Sequence, residues 1–194
     1  MKNTSIDISS IEIDLSFNIV IPKSSIEIPY EAETMIWDKE IFWNIQLKSW
    51  LNLIRANETF DILPLIREKN FFSIGLEFID DLSIAKINSE WLGKNESTDV
   101  LSFSALDEYI TLPENKCIEL GDIIVSIPTA QKQAKIHNHC LTEELRWLVS
   151  HGFLHLLGWD HPTTKRLNQM LSCQEQLLNM EGNLSDELQT VEKR

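Results

Sequence analysis

Three of the chain's five histidines fall within eleven residues, His151-Gly152-Phe153-Leu154-His155-Leu156-Leu157-Gly158-Trp159-Asp160-His161, spaced H-x3-H-x5-H. On a helix, positions four apart share one face, and a rise of ~1.5 Å per residue sets the two rings about 6 Å apart along the axis. That is close enough to share one ion. Gly158 is well placed to end the helix in a left-handed conformation, so the chain can fold back and deliver His161 as a third ligand. Three imidazoles with an open fourth position form the pattern of a catalytic zinc rather than a structural one. A lone H-x3-H pair would read as two solvated or hydrogen-bonded helix histidines. The glycine break and a third histidine at this offset turn the reading to a metal. His137 and His139 are expected outside the metal shell, since three ligands are already supplied.

The spacing H-x3-H-x2-G-x2-H is also that of the metzincin proteases, which place a glutamate directly after the first histidine as general base. Here that position is Gly152, which has no side chain. A zinc-bound water would still have its pKa lowered towards ~7. A phosphodiester can be attacked by such a water while the metal offsets charge on the phosphoryl oxygens. Hydrolysis therefore stays open, with His151, His155 and His161 acting through metal-bound water, and proteolysis is disfavoured.

The elements that must position this stretch follow from patterning. Residues 5–20 alternate, with Ile11, Ile13, Leu15 and Phe17 on one face, and predict a strand. Residues 21–37 predict a loop with some extended structure. Asp38 is the expected N-cap of a helix over about 39–56, whose stripe is Trp43, Leu47, Trp50, Leu51 and Ile54. Residues 57–70, interrupted by Pro64, predict a loop with a helical turn. A strand over 72–79, a short helix from Asp80 or Asp81 through Trp91, and a strand over 98–104 follow. Residues 105–119 predict a loop. The Ile/Val run in 120–127 predicts a strand buried on both faces. Pro128 is expected to open a helix through about His137, Thr142 to cap the histidine-bearing helix, and Pro162 to start a last helix ending at Gly182. The order predicts an α+β fold: a small, mostly four-stranded sheet packed with about five helices, in one domain over 1–194 with a polar, mobile tail from about 183.

Composition bounds the setting. A hydrophobic fraction of 43% is ordinary for a globular chain, and the acidic, alternating first twenty residues predict neither a secretory signal nor a membrane span. Cys117, Cys140 and Cys173 are scattered and odd in number, as expected of reduced thiols in a cytoplasmic protein. A net charge of −13 argues against a general nucleic-acid binder, because phosphate neutralisation supplies much of such affinity. Any such role needs a local basic surface, a partner, or a metal that brings the positive charge.

The stretch HGFLHLLGWDH resembles the signature of the bacterial YbeY family, usually H-G-x-L-H-L-x-G-Y-D-H. Thr98-Asp99-Val100-Leu101-Ser102-Phe103 and Leu120-Gly121-Asp122-Ile123-Ile124-Val125-Ser126 match in order and separation, so the resemblance covers roughly residues 73–180. It implies a small sheet with helices and one Zn2+ per chain on His151, His155 and His161. It also implies a metal-dependent, single-strand-specific endoribonuclease acting in 16S rRNA 3′-end maturation and ribosome quality control. The implied partners are precursor rRNA and the ribosomal small subunit or its proteins, in the cytoplasm. The alternatives are a non-catalytic ribosome assembly factor with structural zinc, or a metallopeptidase. One departure bears on substrate: where the family commonly has Tyr-Arg upstream of the Thr-Asp-Val-Leu-Ser-Phe stretch, this chain has Trp91 and Leu92. Lys94 could replace the lost cation, as a point charge rather than a bidentate fork.

Other residues have two readings each. Asp160 could orient an imidazole or cap the last helix. Asp99 and Asp122, at expected strand starts, could line a substrate cleft or serve turns, and the resemblance favours Asp99. Thr98 and Ser102 are further cleft candidates whose hydroxyls commonly satisfy local backbone. Lys132, Lys135, Arg146, Lys165 and Arg166 could form the missing basic rim, or each belong to a solvated face.

Overall fold

The computed structural model describes residues 11–21, 36–106 and 117–179. Among these, four strands form one sheet: β1 (Glu12–Val20), β2 (Phe71–Ile79), β3 (Val100–Ser104) and β4 (Ile118–Ser126), in the order β1-β2-β4-β3. β1 and β4 run parallel to β2, while β3 pairs antiparallel with β4 as an edge strand. Six α-helices accompany them: α1 (Glu40–Ala56), α2 (Pro64–Glu68), α3 (Asp81–Leu92), α4 (Ile127–His137), α5 (Leu141–Leu156) and α6 (Thr164–Leu178). The architecture is the α+β fold that patterning predicts. The extra helix, α2, is the helical turn expected around Pro64, which occupies its first position. The predicted loop over 105–119, the start of the first strand and the tail from 183 fall largely outside the described residues.

Two helices seal the main face of the sheet. α1 buries Trp43, Leu47, Trp50, Leu51 and Ile54, and α5 buries Leu145, Val149, Phe153 and Leu156, all in one core with Phe72, Ile74, Leu76, Ile123 and Val125. Each large side chain removed from water there contributes about 1.5–3 kcal/mol. On the other face, Ile79, Leu101 and Ile124 pack with Ile84 of α3 in a smaller cluster. β4 is therefore covered on both sides, as its unbroken Ile123-Ile124-Val125 run requires.

Helix ends show where local competition overrides the simplest cap reading. Asp80, not Asp81, caps α3, accepting from the Ser83 N–H at 2.7 Å. Asp38 lies in a 3-10 turn (Ile36–Asp38) and does not cap α1, whose N-cap is Lys39. Thr142 sits inside α5, because Cys140 and Glu143 form the capping box instead: Glu143 accepts from the Cys140 N–H at 2.8 Å, and the Cys140 thiol accepts from the Glu143 N–H. Pro162 precedes α6, which Thr163 caps, and the helix ends at Leu178 rather than at Gly182. Asp122 is in the middle of β4, not at its start.

Helix and sheet come close at Gly152. A Cβ there would lie 2.9 Å from Ile123 Cγ2 and 3.5 Å from Val100 Cγ2, so α5 approaches β4 and β3 to backbone distance. A glutamate at this position would have to enter the apolar core. Gly152→Ala should cost about 1–3 kcal/mol of overpacking, offset by up to about 1 kcal/mol of helix propensity. That cost should shrink in an Ile123→Ala background, which urea unfolding of the four members of the cycle would measure. Equal costs in both backgrounds would show that the contact does not set the spacing.

Candidate metal centre

α5 carries His151 and His155 on one flank, one residue ahead of Gly152 and Leu156, which touch the sheet: Gly152 faces Val100, and the Leu156 carbonyl accepts from Ser104 Oγ at 3.1 Å. The helix ends because Gly158 takes φ +90°, and the Trp159 N–H then reaches back to the Leu154 carbonyl at 3.0 Å. Trp159 is buried edge-on to Phe60, which anchors the reversal. Asp160 braces the returning strand of chain, its carboxylate accepting from the His161 backbone N–H at 2.7 Å. Asp160 thus fixes the backbone of a candidate ligand and does not cap the last helix.

The three rings converge. Their centroids lie 4.8 Å (His151–His155), 5.5 Å (His151–His161) and 5.1 Å (His155–His161) apart, and one nitrogen from each lies within 4.8 Å of the others. The Nε2 atoms of His151 and His155 face one another at 3.3 Å. Two nitrogens bound tetrahedrally to zinc at 2.0–2.1 Å stand about 3.3 Å apart, so the pair is spaced for one such ion. All three rings are half-buried. Burial holds the His151 and His155 pKa values below 6.5, helped by the neighbouring rings; the Gln174 hydrogen bond and Asp99 oppose this for His151, and the Trp159 backbone and Asp160 for His155. Both shifts favour the neutral imidazole, the form that offers a lone pair.

Gln174 of α6 is the residue that sequence reasoning missed in this role. It is fully buried, donates to the Trp147 carbonyl at 2.7 Å, and so turns its own carbonyl oxygen towards His151 Nδ1 at 3.4 Å. A carbonyl oxygen only accepts, so this contact favours the His151 tautomer with its proton on Nδ1, which leaves Nε2 as the acceptor aimed at the centre. In the sequence it is only one polar position within the last helix.

The remaining candidates separate. Asp99 accepts from the Val100 N–H at 2.8 Å, from Thr98 Oγ1 at 3.1 Å and from Gln133 Nε2 at 2.9 Å, which ties the start of β3 to α4. Ser102 shares the α5-facing side of β3 with Val100 and Ser104. Lys94 is exposed in the turn after α3. Trp91, 71% exposed, leans on Phe103 with centroids 5.4 Å apart, and Leu92 beside it is exposed. Four of the five cations that could form a basic rim turn to other surroundings. Lys132 pairs with Asp81 at 2.9 Å, and Arg146 is buried against Gln46 and the Leu178 carbonyl. Lys165 and Arg166 line a cleft between α6 and the 59–61 loop that contains none of the three histidines, with Arg166 3.8 Å from Asp61. An acidic chain supplies carboxylates for its cations to meet.

A family model described as Endoribonuclease YbeY matches residues 38–182. The endoribonuclease YbeY of one strain of Prochlorococcus marinus (strain SARG) is 50% identical over 175 residues, covering 88% of this chain and 89% of its own. This chain belongs to the endoribonuclease YbeY family. Two more YbeY relatives are similar to it: one from Prochlorococcus marinus (strain MIT 9313), 52% identical over 72% of this chain and 75% of its own, and one from Synechococcus sp. (strain CC9902), 46% identical over 89% and 93%. No helix among the described residues is long and apolar enough to cross a membrane.

Two outcomes follow for this YbeY chain. Gln174→Met keeps the side chain's bulk but removes its amide, and should weaken zinc affinity about 10–100-fold in chelator competition, with little change in folding. The 15N shifts of the His151 ring should then report a mixture of tautomers. The second concerns metal-free protein. With folded-state pKa values held below 6.5, the unfolded chain takes up protons first as pH falls, so the contribution of His151 and His155 to stability is full above 6.5 and is lost below it. Thermal melts should show a steeper fall between pH 7 and 5 for the parent than for His155→Asn.

Proposed function

We propose that this YbeY-family chain is a zinc-dependent, single-strand-specific endoribonuclease that acts in the cytoplasm on precursor rRNA, in 16S 3′-end maturation and ribosome quality control, together with the small subunit or its proteins. The observation that carries the reading is the convergence of His151, His155 and His161, with two nitrogens at 3.3 Å, in a chain half identical to proteins named endoribonuclease. When bound there, a zinc ion would supply Lewis acidity and acidify a coordinated water. His151, His155 and His161 would hold it. Gln174 keeps the proton of His151 on Nδ1, and Asp99 adds negative potential beside that ring.

The substrate side rests on β3 and the end of α3. Ser102 offers a hydroxyl on the α5-facing side of β3, and Thr98 and Asp99 hold the start of that strand. Trp91 exposes a ring on which an unpaired base could stack, and Lys94 places a cation three residues on. With Lys132 and Arg166 near acids and Arg146 in the scaffold, affinity for phosphate would lean on the metal. Gly152 speaks against peptide hydrolysis, since the position that carries the proteases' general base is packed against Ile123.

The test is zinc-loaded protein on single-stranded RNA carrying the 16S 3′ end, beside the matched duplex. Cleavage of the single strand alone should stop with chelator and return with zinc. His155→Ala, folded by circular dichroism, should lose at least about 100-fold of the rate, because even outer-shell losses cost 10–100-fold. Intact RNA with verified zinc-loaded parent would overturn the reading. A His155→Ala protein that still supports maturation would instead favour an assembly factor with structural zinc.

A further inference from the structure

A second convergence of ligand groups lies at the other end of α5. His137 is the last residue of α4, Asn138 turns the chain with φ +57°, His139 follows, and Glu144 sits in the first turn of α5. The spacing H-x-H-x4-E brings one ligand atom from each residue within 4.8 Å of the others. His137 Nδ1 is 3.0 Å from Glu144 Oε2, and His139 Nε2 contacts the same oxygen. The turn is held by the backbone, with the His139 N–H on the Ala134 carbonyl at 3.1 Å. Glu143 serves the capping box, which leaves the Glu144 carboxylate to the two rings.

We propose that His137, His139 and Glu144 form a second binding site for a divalent transition-metal ion of the zinc type. Three properties carry it. First, two imidazoles and a carboxylate are a ligand set that zinc and its neighbours accept, with a fourth position open to water. Second, Glu144 is 1% exposed, and a carboxylate this buried needs opposite charge close by. Both imidazoles reach one of its oxygens, and a dication there would bring charge and keep both rings in place as ligands. Third, the histidine side chains are 54% and 30% exposed, so an ion can enter from solvent. The net charge of −13 favours its arrival.

Such an ion would tie the end of α4 to the start of α5. Glu144 and His151 are two turns apart on that helix, about 10 Å along its axis. The second ion would therefore act as a brace on the helix that carries the first centre. It would not share ligands with that centre.

The experiment is titration of untagged, metal-free protein with Co2+, read by d–d absorption and by metal count after dialysis. The parent should bind two ions per chain. His139→Asn and His137→Asn, at solvent-accessible positions, should each bind one, as should His155→Ala; the His139→Asn/His155→Ala double variant should bind none. Glu144→Gln should match His139→Asn if it folds, and the two histidine variants carry the result if it does not. One ion in both the parent and His139→Asn, with none in His155→Ala, would overturn the proposal. So would a second ion that survives both His137→Asn and His139→Asn, since it would then be held elsewhere.

Discussion

The close approach of α5 to the sheet at Gly152 governs the geometry of the site. With no side chain at that position, helix and sheet meet at Ile123 Cγ2 and Val100 Cγ2. His151 and His155 are displaced by one residue from the two sheet contacts at Gly152 and Leu156, so the packing height fixes where their rings stand relative to β3. The same contact explains a chemical absence. The residue after the first histidine is a scaffold position here, facing the core, and it cannot also carry a proton-transfer group. Packing and mechanism are decided by one hydrogen atom.

Electrostatics gives the site its second constraint. Charged groups that are half or more withdrawn from water are tied up in the frame: Arg67 donates to the Arg55 and Phe60 carbonyls, and Arg55 to the Arg67 carbonyl and Asn70. Burial raises the pKa of Asp81, but hydrogen bonds from Ser126, Lys132 and Thr129, with the Lys132 charge, outweigh it and hold the carboxyl at about 2. That keeps Asp81 ionised and Lys132 engaged. In such a frame the three converging imidazoles are a receptor for positive charge, and a bound dication would be the natural contact for a polyanion.

What was legible in the sequence is what local geometry dictates. The i, i+4 histidines, the left-handed Gly158 and the alternating strands are properties of short stretches, and the structure has them in place. The caps were less legible because neighbouring polar residues compete for the same N–H groups. Cys140 wins over Thr142 through its partner Glu143, and the last helix starts at Thr164, capped by Thr163, rather than at Pro162. Gln174 was not legible at all in its role. It reaches His151 from another helix, 23 residues away, and a polar side chain in an apolar stripe carries no mark of what it will face. The cation cluster shows the same limit in reverse: closeness in sequence across α4, α5 and α6 leaves Lys132, Arg146 and Arg166 with separate partners, Asp81, Gln46 and Asp61.

Taken from end to end, α5 explains why the centre can be small. A helix of sixteen residues is marginal alone, and its ends fray first. Here the N-terminal turn is closed by the Cys140–Glu143 box and the His137–Glu144–His139 contacts. The middle is pressed on the sheet at Gly152, and the C-terminal turn is closed by Gly158 and Trp159. His151 lies directly before the second of these restraints, His155 between the second and the third, and His161 follows after the third. A tetrahedral ion tolerates ligand errors of only a few tenths of an ångström. Holding the segment at its start, middle and end limits such errors for three side chains carried on it, while Gln174 bears on a further freedom, the position of the proton on His151.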